Sequence, residues 1–179
     1  MSGDRAVIES ACGTTLIGVI DGLGHGTEAA SAAAIAAGIL RGRVEESPSR
    51  LIEMAHQALG GTRGVAMSLA SFQAADDSMT WLGLGNVEGR LVDRRRPDHS
   101  IMLASGIVGH ELPRLRSRTL RVRRGSILIM ATDGVRGRSS YSFASSGTAQ
   151  EIADAILERQ GTRTDDALVL VARYLGAPI

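Results

Sequence analysis

Thr14-Thr15-Leu16-Ile17-Gly18-Val19-Ile20-Asp21-Gly22-Leu23-Gly24-His25-Gly26-Thr27-Glu28 reads as a buried strand, a glycine-rich turn and the start of a helix. Residues 14 to 20 are β-branched and apolar, as a strand covered on both faces requires. Thr27 is expected to cap the helix, and Glu28 suits the positive end of its dipole. Residues 29 to 40 are apolar on nearly every side, so the helix is expected to pack between layers, where alanine permits close approach. Such a strand, loop and helix often cradles phosphate. A Walker loop needs Gly-Lys-Ser/Thr before its helix, and Thr27-Glu28 stands there instead. The dinucleotide fingerprint is disfavoured because its sixth position is Thr27 and Asp21 would set a negative charge near a pyrophosphate. Two readings remain: Asp21 as a metal ligand with the Gly22 carbonyl beside it, or a plain strand-to-helix turn.

Outward from this stretch, Ser47 and Pro48 announce a second helix with Leu51, Ala55, Ala58 and Leu59 on one face, stopped by Gly60 and Gly61. From Gly64 the period changes to two: Val65, Met67 and Leu69 on one side, Ala66, Ala70 and Phe72 on the other. Strands are expected at Met79–Leu84 and Val87–Val92, joined by a Gly85-Asn86 hairpin turn, and then at 100–104, 119–123 and 126–131. Thr148-Ala-Gln-Glu151 is a capping box for a third helix, with Ile152, Ala155 and Ile156 inward and Gly161 as its stop. Residues 167 to 174 form the last strand. Strands in runs, with helices grouped early and late, predict an α+β layered fold.

The 179 residues, 44% of them hydrophobic, suit a single domain spanning 1–179. The longest apolar stretch, Ala29 to Leu40, falls short of the roughly 20 residues a membrane span needs. No secretory signal opens the chain, and one cysteine, Cys12, allows neither an internal disulfide nor a cysteine-ligated zinc. A cytoplasmic protein with no membrane partner is expected. Net charge is +1, but residues 90 to 124 hold ten arginines against Asp93, Asp98 and Glu111, a local +7. They form either a solvated face or a docking surface for an acidic phosphoprotein assembly. Nucleic acid is not expected as a partner, since aromatics are 3% of the chain and none interleaves residues 114 to 124.

Four aspartates stand at turns: Asp4, Asp21, Asp133 and Asp165, the last beside its rival Asp166. Singly, each reads as a turn residue. Together, Ser2-Gly3-Asp4, Asp21-Gly22-Leu23-Gly24-His25-Gly26, Gly85-Asn86-Val87-Glu88, Gly106-Ile107-Val108-Gly109, Ala131-Thr132-Asp133-Gly134-Val135 and Asp165-Asp166-Ala167-Leu168 resemble metal-dependent protein serine/threonine phosphatases of the PPM type. The likeness is strongest to the compact bacterial branch of SpoIIE and RsbU catalytic domains and its stressosome phosphatases.

That resemblance implies a four-layer αββα sandwich with two mostly antiparallel sheets and a pair of Mn²⁺ or Mg²⁺ ions at one end. It implies that Asp21 bridges the ions, that the Gly22 carbonyl completes one shell, and that Asp4, Asp133 and Asp165 hold them from other strand ends. The activity implied is hydrolysis of phosphoserine or phosphothreonine by a metal-activated water. The implied partners are phosphorylated STAS-domain proteins of a stressosome, met by a monomer or weak dimer. Three features depart from the family. Leu23 occupies the place where many eukaryotic members carry a proton-donating histidine, so His25, two residues on, is either the acid or a loop histidine bound to backbone. Only three residues precede Asp4, so the family's preceding edge strand is expected to be missing or shortened. No separate sensor domain is expected ahead of the catalytic part, which would leave control to substrate presentation, a partner or dimerisation. A reading from another class is a catalytically weak phosphoprotein-binding module on the same fold.

Overall fold

The computed structural model describes residues 2–93, 99–136, 147–162 and 165–177; of the arginines counted above, Arg94 to Arg96, read from the sequence as a turn, lie outside them. The chain begins with a strand that the sequence reading missed, β1 (Asp4–Ala11), paired antiparallel with β2 (Thr14–Gly22) from Asp4 opposite Asp21 to Ala11 opposite Thr14. Cys12 and Gly13 close this hairpin with φ of 50° and 78°, the two left-handed residues that match the twist of paired strands. The strand escaped notice because it is an edge: Arg5, Ala6 and Ile8 are exposed, and of its apolar side chains only Val7 is buried.

After β2 come α1 (Thr27–Leu40) and α2 (Pro48–Ala58), then β3 (Val65–Gln73), β4 (Ser78–Leu84), β5 (Glu88–Val92), β6 (His99–Ile101), β7 (Arg118–Arg121) and β8 (Ile127–Ala131). Helix α3 (Ala149–Gln160) and β9 (Val169–Arg173) complete the chain. One sheet runs β1-β2-β3-β4-β7 and the other β6-β5-β8-β9, with every pairing between named strands antiparallel. Helices α1 and α2 cover the first sheet and α3 covers the second, giving the αββα order.

Three apolar layers hold the sandwich together. Leu16, Ile20, Met67 and Leu69 meet Ala33, Ala36 and Leu40 of α1 and Leu51 and Ile52 of α2. Ile17, Val19, Phe72 and Trp81 meet Leu91, Leu128 and Met130 between the sheets, and Ile127 and Ile129 meet Ile152 and Ile156 under α3. The alternation in β3 follows the expected sides. Burial of each large side chain contributes about 2 kcal/mol, so the strand that carries Asp21 is clamped from both faces.

Several local expectations are corrected. Gly85-Asn86 is not a hairpin turn, because β4 pairs with β3 and β7 whereas β5 pairs with β6 and β8. It is a corner at which the chain leaves one sheet for the other, with Gly85 at φ 85°. The two sheets are pressed together beside it: a methyl group added to Gly89 of β5 would lie 2.1 Å from the Trp81 ring, a distance no carbon contact tolerates. Helix α1 is an outer layer, with Ser31, Ala34, Ile35 and Gly38 facing solvent; alanine buries well but loses little when wet, so its abundance overstated the buried arc. Its N-cap is Gly26, not Thr27, and no side chain caps it. In α2, Ile52 takes the inward place expected of Ala58, which is exposed. The capping box of α3 forms as read, and Ala153 is buried in place of Ala155.

Candidate metal centre and active site

The aspartates that looked scattered in sequence converge at one end of the sandwich. Asp4 opens β1 directly opposite Asp21, the penultimate residue of β2. Asp133 follows β8, and Asp165 and Asp166 precede β9, its partner in the second sheet. Asp4, Asp21, Leu23, Gly24, His25, Asn86, Asp133, Asp165 and Asp166 line one cavity of about 380 Å³. Asp4 is the first residue of β1, so it is held by a full antiparallel ladder to β2 whatever the length of a strand ahead of it.

Each acid is placed by contacts of its own. Thr132, fully buried, donates its hydroxyl to Asp4 Oδ2 at 2.7 Å and accepts the Leu168 N–H at 2.9 Å. It ties the first strand of one sheet to the segment leading into the last strand of the other. Asn86 Nδ2 donates to Asp21 Oδ2 at 2.9 Å and to Asp133 Oδ2 at 2.6 Å, joining one acid from each sheet. Asp166 Oδ2 accepts the Gly3 N–H at 2.7 Å, while among the described residues Asp165 Oδ1 accepts only the neighbouring Asp166 N–H at 2.9 Å. Asp166 is therefore committed to the backbone ahead of Asp4, and Asp165 keeps its second oxygen for the cavity.

Gly22 is buried behind Asp21, so close to α1 that a methyl group there would lie 2.2 Å from the Ala29 carbonyl oxygen. Only glycine lets the strand end and the first turn of α1 meet so closely. Its N–H donates to the Gly3 carbonyl at 3.1 Å, and Leu23 N–H donates to the Gly64 carbonyl at 3.1 Å, which pins the loop on both sides. His25 is exposed at the lip of the cavity, without the backbone hydrogen bond that its alternative reading required among the described residues.

Five carboxylates around one cavity repel one another. Burial first, and then the charges of Asp166, Asp133 and Asp165, push Asp4 up to about 6 against the pull of its Thr132 hydrogen bond. Burial, and next the Asp4 charge, push Asp21 up to about 7, with Asn86 acting in the opposite direction. The geometry is that of a site waiting for positive charge, and the donors are hard oxygens that suit a divalent cation of the Mg²⁺ class. Among the described residues no three of these groups close on a single point. An ion here would draw part of its shell from water or backbone oxygens rather than from a dry, all-protein cage.

Sequence reasoning gave Asn86 no role at the site, reading it as a turn residue within one of the resembling motifs. It had placed Asp165 ahead of Asp166 through the family resemblance, without a contact to separate the two.

Known proteins bear on this geometry. The family model of Stage II sporulation protein E (SpoIIE) matches residues 12–175. The chain is 23% identical to phosphoserine phosphatase RsbX of Bacillus subtilis (strain 168) over 172 residues, covering 96% of this chain and 86% of the relative. A crystal structure of RsbX in complex with magnesium superposes with a TM-score of 0.85 at 22% identity, over 96% of this chain and 86% of the other. A structure from work on the bacterial stressosome as a modular system for secondary messenger signalling superposes with a TM-score of 0.88 at 26% identity, over 97% and 92% of the two chains. With its acids at the strand ends and the family match running nearly end to end, the chain belongs to the SpoIIE family and carries the PPM phosphatase fold.

Proposed function

We propose that this chain hydrolyses phosphoserine or phosphothreonine on STAS-domain proteins of a stressosome in the cytoplasm, with two Mn²⁺ or Mg²⁺ ions in the acid cavity. The observation that carries the reading is the convergence of Asp4, Asp21, Asp133 and Asp165 from four strand ends, two of them raised in pKa by burial and mutual repulsion. The similarity to RsbX supports the substrate class. When bound, the cations supply the Lewis acidity that activates a water for in-line attack on phosphorus.

The residues divide the remaining work. Asp4, Asp21, Asp133 and Asp165, with the Gly22 carbonyl beside Asp21, would hold the ions, Asp21 serving both. Asn86 keeps the Asp21 and Asp133 carboxylates at a fixed separation. His25, at the lip, hands a proton to the seryl oxygen as it leaves.

Phosphate release from a phosphoserine protein and from an aryl phosphate in Mn²⁺ tests the scheme. Asp21→Ala and Asp133→Ala abolish both activities, whereas His25→Ala slows only the seryl substrate, whose leaving group needs the proton. Equal, metal-independent turnover by wild type and both aspartate variants would sink the mechanism and favour a binding module.

A further inference from the structure

We infer that the outer edge of the larger sheet is a docking track for an acidic segment of the phosphoprotein substrate, with Arg114, Arg116, Arg118 and Arg121 as its contacts. The inference rests on the phosphatase reading, since it says how a substrate approaches that cleft.

Strand β7 is the last strand of its sheet, paired on one side with β4 through Trp81 opposite Arg118 and Ser78 opposite Arg121. From Trp81, β4 runs on to Leu84 and then to Asn86, which grips the cleft acids. Because the pairing is antiparallel, the residues ahead of Arg118 run toward that same cleft. Pro113 confirms this course: a methyl group added to Gly106 would lie 2.7 Å from the Pro113 ring and 3.2 Å from the Leu84 side chain. Leu112 and Leu115 pack partly buried against the helix-side core, while Arg114 and Arg116 are exposed. The arginines therefore start beside the corner at Asn86 and continue along the free edge. From the level of Leu84 to that of Ser78 the track is about 20 Å long, at roughly 3.3 Å per residue.

Charge identifies the occupant. Arg123 pairs with Asp93 at 3.1 Å. Among the described residues, no acidic partner faces Arg114, Arg116, Arg118 or Arg121, all of them exposed. A cleft of five carboxylates at one end and four exposed guanidiniums leading away from it form a surface of two signs. A phosphoserine goes to the cation-loaded cleft, and acidic residues further along the same polypeptide meet the arginines. Screening over about 8 Å at physiological salt separates these roles, because Arg121 lies too far from the cleft to attract the phosphate itself. The acids must sit about three to six residues from the phosphoserine to reach the track in an extended chain. Arginine's planar fork binds carboxylates in pairs of hydrogen bonds, which adds orientation to attraction.

The test compares two phosphoserine peptides alike except for aspartates or asparagines at those positions. With Mn²⁺, wild type is expected to favour the acidic peptide about tenfold in kcat/KM, through KM, as four exposed ion pairs of modest strength allow. The preference should shrink as salt rises. Arg118→Gln with Arg121→Gln should cut it to about threefold, and adding Arg114→Gln and Arg116→Gln should erase it, with aryl phosphate turnover unchanged throughout. A wild type indifferent to the aspartates overturns the inference, as does an unchanged preference in the fourfold variant, or a parallel loss on both peptides and the aryl phosphate. A single-stranded oligonucleotide that displaces the labelled acidic peptide at lower concentration than unlabelled peptide does would assign the track to nucleic acid and likewise overturn it. Should wild type turn over no phosphate at all, the phosphatase reading fails separately, and anisotropy of the same labelled peptides still decides the docking claim.

Discussion

Replacing Asp21 with asparagine should make the metal-free protein more stable while removing its activity. The carboxylate is held where burial and the charge of Asp4 oppose its ionisation, which raises its pKa from an ordinary 3.8 to about 7. Below pH 4 the group is protonated whether the chain is folded or unfolded, and its contribution is fully favourable. Between pH 4 and 7 the unfolded chain gives up the proton and the folded one retains it, so stability falls with rising pH. Above 7 both forms are ionised, and the loss is complete. A rise of that size corresponds to roughly 4 kcal/mol, and the partial exposure of the carboxylate reduces it to about 2 kcal/mol through solvent screening.

Asparagine keeps the shape and an oxygen for the Asn86 amide, but carries no charge. Urea denaturation after chelation should therefore give Asp21→Asn an advantage of about 2 kcal/mol at pH 8, declining to nothing at pH 4. Adding Mg²⁺ at pH 8 should reverse the order, because only wild type gains from cation binding. A variant less stable than wild type at pH 8 without metal, by an amount independent of pH, would refute the reasoning. It would show that Asp21 sits comfortably ionised in the empty cleft and that its neighbours do not oppose its charge.

Asn86→Ala should lower metal-dependent turnover about tenfold or more, since hydrogen bonds to charged groups contribute about 1.5 to 3 kcal/mol; steady-state kinetics at saturating Mn²⁺ measures it. Thr132→Val leaves the Asp4 carboxylate and the Leu168 N–H without their shared buried hydroxyl, and should destabilise the fold by about 2 kcal/mol in urea. Asp165→Ala and Asp166→Ala should differ in kind. The first weakens Mn²⁺ binding in calorimetry with little change in thermal stability. The second releases Gly3 and lowers stability by about 1 to 2 kcal/mol, with the smaller effect on Mn²⁺.

The contrast between Asp21 and Asn86 explains how much of this site the sequence made legible. Asp21 stands where a buried strand meets a glycine loop and a helix, and all three signals are local, so its place at a strand end could be read from its neighbours. The layered α+β class followed from similar patterns, period two in β3 and the capping box of α3. The strand β1 lacked them because an edge strand buries few side chains and so loses the alternation by which strands are recognised. Asn86 posed a harder problem. Gly-Asn at the end of an apolar run signals a change of direction, and that much was right. Whether the chain then folds back on its own strand or crosses to a second sheet is decided elsewhere, by Trp81 lying on Gly89 and by the pairing of β5 with β8. Only the crossing puts the Asn86 amide between two acids, 65 and 47 residues away in the chain. A turn residue became the clamp of the cleft because the turn joins two sheets, and the same corner packs near Gly106, which in turn meets Pro113 just ahead of Arg114. The long-range pairing that hid Asn86 from a local reading thus also connects the acid cleft to the basic track, so substitutions that shift the Gly85-Asn86 corner should disturb turnover and docking together.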